Sequence, residues 1–166
     1  MDQQNLTLSP RGILRILSII YFAFLAAQLL FGALAFLNQE NTYFDYSNTN
    51  DVFIYAVPVF AVSSIVIGIV LFGQQTADLS YKSSLKEKLE GYQAAVLVRM
   101  AFLEAASIFG IIAFILKGNL FSLLISGLVI LYFLTLRPGK VRAENDLNLS
   151  LDEKGEFEGR AGIDRP

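Results

Sequence analysis

Two ionisable residues, Arg99 and Glu104, stand inside Ala94 to Leu116, AAVLVRMAFLEAASIFGIIAFIL, a run that carries no other charge. A hydrocarbon core about 30 Å thick takes roughly 20 apolar residues in a helix, and this run is long enough to cross it. A charge near the bilayer centre costs at least ~2.5 kcal/mol on insertion scales, so Glu104 must be neutral, paired or turned to a polar cavity. The two residues are five apart, roughly 140° around a helix and about 7.5 Å along it, so they do not form the i,i+4 pair that would hide both charges. Each needs its own partner. Counting about 1.5 Å per residue from the helix ends puts Glu104 level with Tyr21, Ser63 or Ser64, and Ser126, whose hydroxyls can donate to it. Arg99 falls a turn away, around the level of Ser18 and Tyr132, where its long stem can anchor the guanidinium near the headgroups. A protonated acid among hydroxyls has two uses: to pass a proton or cation, or to tie helices together without changing state.

Composition narrows the chemistry further. The chain has 166 residues, 54% of them hydrophobic, and its mean hydropathy of +0.52 is that of a small membrane domain rather than a soluble one. With neither Cys nor His it lacks thiolate nucleophiles, disulfides, sulfur metal sites and the commonest metal ligand and general base, so no metal, cofactor or catalytic triad is expected. A formal charge of −2 argues against nucleic acid as a partner. The lipid bilayer is the expected partner, with a second copy or another membrane protein on the small-residue faces.

The elements that must position Arg99 and Glu104 read as four spans. Residues 1–12 are a polar N-terminus, and the first span, 13–37, exceeds the roughly 7–15 residues of a signal-peptide core. Ala23, Ala26, Ala27, Gly32 and Ala33 allow close helix approach, and Gln28 supplies an amide for interhelical bonding. An acidic loop, NQENTYFDYSNTND, leads with its aromatic Tyr43, Phe44 and Tyr46 to the second span, 52–72, in which Pro58 removes a backbone donor. Ser84 and Glu87 fit a capping box, which predicts a helix from Leu85 that runs unbroken into the third span, 94–116, with Leu85, Leu89 and Tyr92 on one face and Lys86, Lys88 and Glu90 off it. Gly118 suits a left-handed helix end and Asn119 a new N-cap, so the third and fourth spans, 94–116 and 120–136, form an antiparallel hairpin. The tail, 137–166, is polar and acidic. Its alternating Leu147, Leu149 and Leu151 suggest a short strand hairpin, expected to be flexible unless it docks on the connection after the second span or on a partner.

Basic residues set the orientation. Arg11 and Arg15, then Lys82, Lys86 and Lys88, then Arg137, Lys140 and Arg142 flank the spans on one side against Lys117 on the other, so the positive-inside rule puts both termini in the cytoplasm of a multi-pass cell-membrane protein. Shifted by 78 positions, AFLAAQLLFGALAFL from Ala23 overlays AFLEAASIFGIIAFI from Ala101 with eight identities. Either duplication of a two-helix hairpin, as a parallel repeat, or chance within a restricted alphabet produces such a match.

The segment Leu103 to Leu116, LEAASIFGIIAFIL, resembles the carboxylate-bearing helix of the rotary ATPase proteolipids, the c or K subunits, in which a membrane glutamate precedes an alanine-rich turn, an aromatic-Gly pair and aliphatics. The resemblance implies that Glu104 carries an ion and that the protein assembles into a ring. It is confined to this segment. The expected fold is an all-α bundle of four transmembrane helices in two antiparallel hairpins. The expected function is that of a non-enzymatic structural or regulatory membrane subunit with a protonated Glu104. Proton or cation passage through that residue is the alternative, and a membrane enzyme the least expected class.

Overall fold

A computed structural model describes residues 10–79, 81–82 and 84–157, and every regular element among them is helical. The helices are α1, Pro10–Asn38; α2, Phe53–Leu79; α3, Leu85–Lys117; α4, Leu120–Leu134; α5, Lys140–Asp146; and α6, Leu151–Phe157. Three of them, α1, α2 and α3, are long and apolar enough to cross a membrane, while α4 has 15 residues. At about 1.5 Å per residue the 33 residues of α3 reach roughly 50 Å, well beyond a hydrocarbon core, and the excess is its N-terminal extension from Leu85 to Gln93.

The boundaries of α3 are written in local chemistry. Ser84 Oγ accepts the Glu87 N–H at 3.2 Å, as the capping box predicts. Gly118 ends the helix at φ 72°, its N–H bonded to the Phe114 carbonyl at 2.7 Å, and Asn119 Oδ1 accepts the Phe121 N–H at 3.1 Å to open α4. The 39–52 loop is stapled to this turn. The Tyr43 N–H donates to the Gly118 carbonyl, the Leu120 N–H donates to the Tyr43 carbonyl, and Asn119 Nδ2 donates to the Asp45 carbonyl at 2.7 Å. Asn119 is buried between the two loops.

Helix α3 is the hub. It packs on α1, α2 and α4, and α4 also touches α2 and, slightly, α1, whereas α1 and α2 make almost no contact with each other. The expected first hairpin therefore does not close: α3 lies between the two helices that the loop joins. α1 and α3 run parallel and in step. Gln28 meets Ser107, Gly32 faces Ile111, and the Phe36 and Phe114 rings stack at 6.4 Å, so partners are 78 or 79 positions apart. The segments that overlay in sequence thus lie side by side in space. Packing nevertheless lacks the two-fold symmetry a parallel repeat would give, because that symmetry would make α1 meet α2 as α3 meets α4, and α1 meet α4 as α3 meets α2.

The tail departs from the expected strand hairpin. Ala143, Leu147, Leu149 and Phe157, on and between α5 and α6, are buried in one cluster with Leu85, Leu89 and Tyr92 of the α3 extension. The alternation of leucines served a helix end and a connecting turn, with Asn148 at φ 48°, and Leu151 stands 85% exposed. Lys88, expected on the solvent face, is 7% exposed, and its Nζ meets Glu153 Oε1 at 2.6 Å. The Glu153 carboxylate also accepts the Ser150 N–H at 2.8 Å, while the Glu153 N–H donates to Ser150 Oγ at 3.3 Å, a capping box for α6. Residues 1–9 and 158–166 of the expected terminal segments lie outside the described residues.

The hydrogen bond from Lys88 holds the Glu153 carboxyl below the usual carboxylate range, with the Ser150 N–H adding to it. A lowered folded-state value stabilises docking above the ordinary value, about 4.3, and that stabilisation is lost as pH falls through the lowered one. Acidification below that value is expected to undock α5 and α6, and Glu153→Gln to weaken docking already at neutral pH and flatten its acid dependence. Because the chain has no cysteine, the maleimide reactivity of a single Cys at Leu149 measures this directly.

Candidate functional site

Arg99 lies on the side of α3 that faces α2 and α4. Its Nη2 donates to the Tyr132 hydroxyl at 2.8 Å, and its guanidinium lies over the Phe72 ring, 5.0 Å from the centroid. Gly68 packs against the stem, where a Cβ would stand in ordinary contact 3.6 Å from Arg99 Cγ. The anchor at the level of Tyr132 is as expected from sequence. Sequence reasoning did not find what lies beyond it: a cavity of ≈ 10 Å³, room for about one water, lined by Arg99, Phe72, Tyr92, Arg142 and Asp146. The Tyr92 hydroxyl donates to Asp146 Oδ2 at 3.1 Å, Arg142 Nε stands 3.9 Å from the same oxygen, and Arg142 Nη1 donates to the Thr135 carbonyl at 2.6 Å. Burial, reinforced by Asp146, pushes the Tyr92 hydroxyl up from its ordinary value, so it remains a donor. Arg99 Nε is buried without a hydrogen-bond partner among the described residues.

Further along α3 a polar seam joins three helices. Ser107 Oγ donates to Gln28 Oε1 at 2.6 Å and lies 3.0 Å from the Glu104 carbonyl, and Ser126 Oγ reaches the Ser107 carbonyl at 2.9 Å and the Ser122 carbonyl at 3.1 Å. Gln28, Ser107, Ser122 and Ser126 are all buried. Gly110 makes this approach possible, because a Cβ there would run into Ser126 Oγ and stand 3.0 Å from the Ser122 carbonyl oxygen and 3.2 Å from Val57 Cγ1. The seam leaves one polar atom over: Gln28 Nε2 is buried without a partner among the described residues.

Glu104 stands beside this seam, half-buried, its carboxyl making no hydrogen bond or ion pair among the described residues. Of the hydroxyls expected around it, none is brought to it. Ser126 is committed to the seam. The Tyr21 hydroxyl lies near the Phe133 and Leu134 carbonyls at the C-terminal end of α4, at 3.3 and 3.2 Å, with its ring stacked on Phe133 at 5.0 Å. Ser63 is exposed, and Ser64 is buried on the α2 face that Gly68 turns to Arg99 and Phe102. Ser126 sits at the level of Ser107 and Gly110, and Glu104 itself points elsewhere than towards α2. At 100° per residue Glu104 is roughly 160° from Phe102 and so turns away from α2, but only about 20° from Ile111, which faces Gly32 of α1. It occupies the margin between the α1 contact and the uncovered strip of Ala101, Ala105 and Ile112.

The pair that sequence reasoning missed is Gln28 with Ser107. The 78-residue overlay sets Gln28 opposite Ala106, one position short, and was the available signal. No group of His, Cys, Asp or Glu suited to a metal ion occurs among the described residues. Scans of protein-family models, curated proteins and solved structures find no match to this chain.

The close approach at Gly110 gives a paired test. Gly110→Ala is expected to cost about 1–3 kcal/mol by overpacking the seam. Gly127→Ala, in the same bundle but with open space at its Cβ, should be neutral or stabilising by up to about 1 kcal/mol. Unfolding titrations of the purified protein in detergent compare the two.

Proposed function

We propose that this chain is a four-span integral membrane protein with both termini in the cytoplasm, acting as a non-enzymatic structural or regulatory subunit in which Glu104 is a protonated acid at the bundle's outer edge. The observation that carries the reading is the setting of Glu104. The other polar side chains of the third apolar run have partners within the chain, Arg99 in Tyr132 and Ser107 in Gln28, while this carboxyl has none among the described residues and borders exposed Ala101 and Ala105. A carboxyl in hydrocarbon keeps its proton unless a cation answers it, and a neutral acid beside alanines suits close contact with another membrane helix. The basic flanks, among them Arg15, Lys82, Lys86, Arg137 and Lys140 against Lys117, support the orientation. The shortness of α4, roughly 22 Å, fits a crossing whose end is finished by Thr135, Leu136 and the Arg137 guanidinium over the Phe22 ring.

Proton or cation passage is the second reading. It draws on the same unpartnered carboxyl, which is reachable from outside the bundle, and on the resemblance of its surrounding segment to the proteolipid helix.

Glu104→Gln separates the two, since it keeps the hydrogen-bonding shape and abolishes titration. In proteoliposomes the subunit reading expects equal helix content and no pH-driven cation flux with either form. Flux in the wild type that the variant loses would establish passage instead. For orientation, single cysteines at Asn48 and Lys154 in closed cells are expected to react with an impermeant maleimide at 48 directly and at 154 after permeabilisation, and the reverse pattern would invert the topology.

A further inference from the structure

We infer that Glu104 and Gln28 form an acid–amide clasp between α3 and α1, the carboxyl swinging in from the margin onto the buried amide. This rests on reading Glu104 as a protonated acid within the bilayer. Gln28 is 1% exposed, yet one of its polar atoms has no partner, a costly state for an amide away from water. Ser107 cannot supply what is missing. Its single proton already serves two acceptors, Gln28 Oε1 at 2.6 Å and the Glu104 carbonyl at 3.0 Å. Turning the amide over lets Nε2 donate to Ser107 Oγ and frees the hydroxyl proton for the Glu104 carbonyl, but leaves Oε1 over in its place. Either orientation needs one further group, and a protonated carboxyl answers both because it donates and accepts.

Placement singles out Glu104 for that role. With α1 and α3 parallel and offset by 79, Glu104 is level with Leu25, one turn from Gln28 towards the N-terminal ends. Side chains on the two parallel helices lean alike and keep that offset, so the carboxyl reaches the amide by swinging towards Ser107, its i,i+3 neighbour on α3 and the partner of Gln28. Glu104 lies at the edge of the strip of α3 that faces α1, and the nearby hydroxyls of Tyr21 and Ser107 are already engaged. The clasp would give the acid two positions: outward, without a partner, and inward, on Gln28.

The test is the infrared carbonyl stretch of protonated carboxylic acids, recorded on the full chain reconstituted in lipid nanodiscs, with Glu104→Gln identifying the band. In Gln28→Met, which keeps the length of the side chain and removes the amide, the Glu104 band is expected to shift to the higher frequency of an acid without a hydrogen bond. Gln28→Asn, which withdraws the amide by one methylene, should move it the same way and carries the test if the Met variant does not reconstitute. A Glu104 band that stays in place in a folded Gln28 variant overturns the clasp and leaves the protonated-acid reading intact. Absence of any Glu104 band in the wild type overturns both.

Discussion

Away from water a polar group can bond only to other polar groups of the protein, and this constraint decides how the whole chain is arranged around α3. The polar side chains that α3 turns towards its neighbours are answered by different ones, Glu104 at the margin excepted. Ser107 finds Gln28 of α1, and its carbonyl finds Ser126 of α4; Arg99 finds Phe72 of α2 and Tyr132 of α4. On the extension, Tyr92 meets Asp146 of α5 and Lys88 meets Glu153 of α6. Every other helix is thereby held to α3 at a defined level. A slip of one residue would swing each of these groups by about 100° and strand it.

Such bonds specify more than they stabilise. Interhelical hydrogen bonds in membranes contribute about 0.6 kcal/mol each on average. An unmade bond weighs more, because a buried polar group without a partner costs about 1–3 kcal/mol. The seam at Gly110 joins close approach to bonding: the glycine lets α4 come close, and the closeness lets Ser126 reach the Ser107 carbonyl. Gln28, drawn in by the same seam, is only partly satisfied, as is Arg99 through its Nε.

What the sequence made legible is what depends on neighbours along the chain. Ser84 and Glu87, Gly118 and Asn119 announced both ends of α3 and the start of α4, and hydropathy located the long helices. Depth was legible too, since counting residues from helix ends put Arg99 level with Tyr132. Azimuth was not. Whether Ser126 turns to Glu104 or to the far side of α3 depends on which helices flank α3, and hydropathy carries no record of that order: α1 and α2, adjacent in sequence, scarcely touch. The tail failed for a related reason. Leu147, Leu149 and Leu151 alternate like a strand, but Leu147 and Leu149 are buried because a nonlocal surface, the Leu85, Leu89 and Tyr92 face, is there to receive them. Lys88 was misjudged in the same way, its partner Glu153 lying 65 positions away.

The separation of α1 from α2 also explains why an acid is tolerable at Glu104. Had the two closed as a hairpin over α3, the strip of Ala101, Ala105 and Ile112 would be covered, and a carboxyl at its margin would be sealed in with no room to change its contacts. In the sector facing α2 and α4 it would meet Gly68, Gly110 and the Phe109 ring, which is packed on Phe53 and Phe60, a region too tightly filled to admit a longer polar group. At the open margin it stands between the α1 contact on one side and the outside of the bundle on the other. The fold thus leaves its one acid in the third apolar run at the outer edge of the contact with α1, a helix held chiefly by α3.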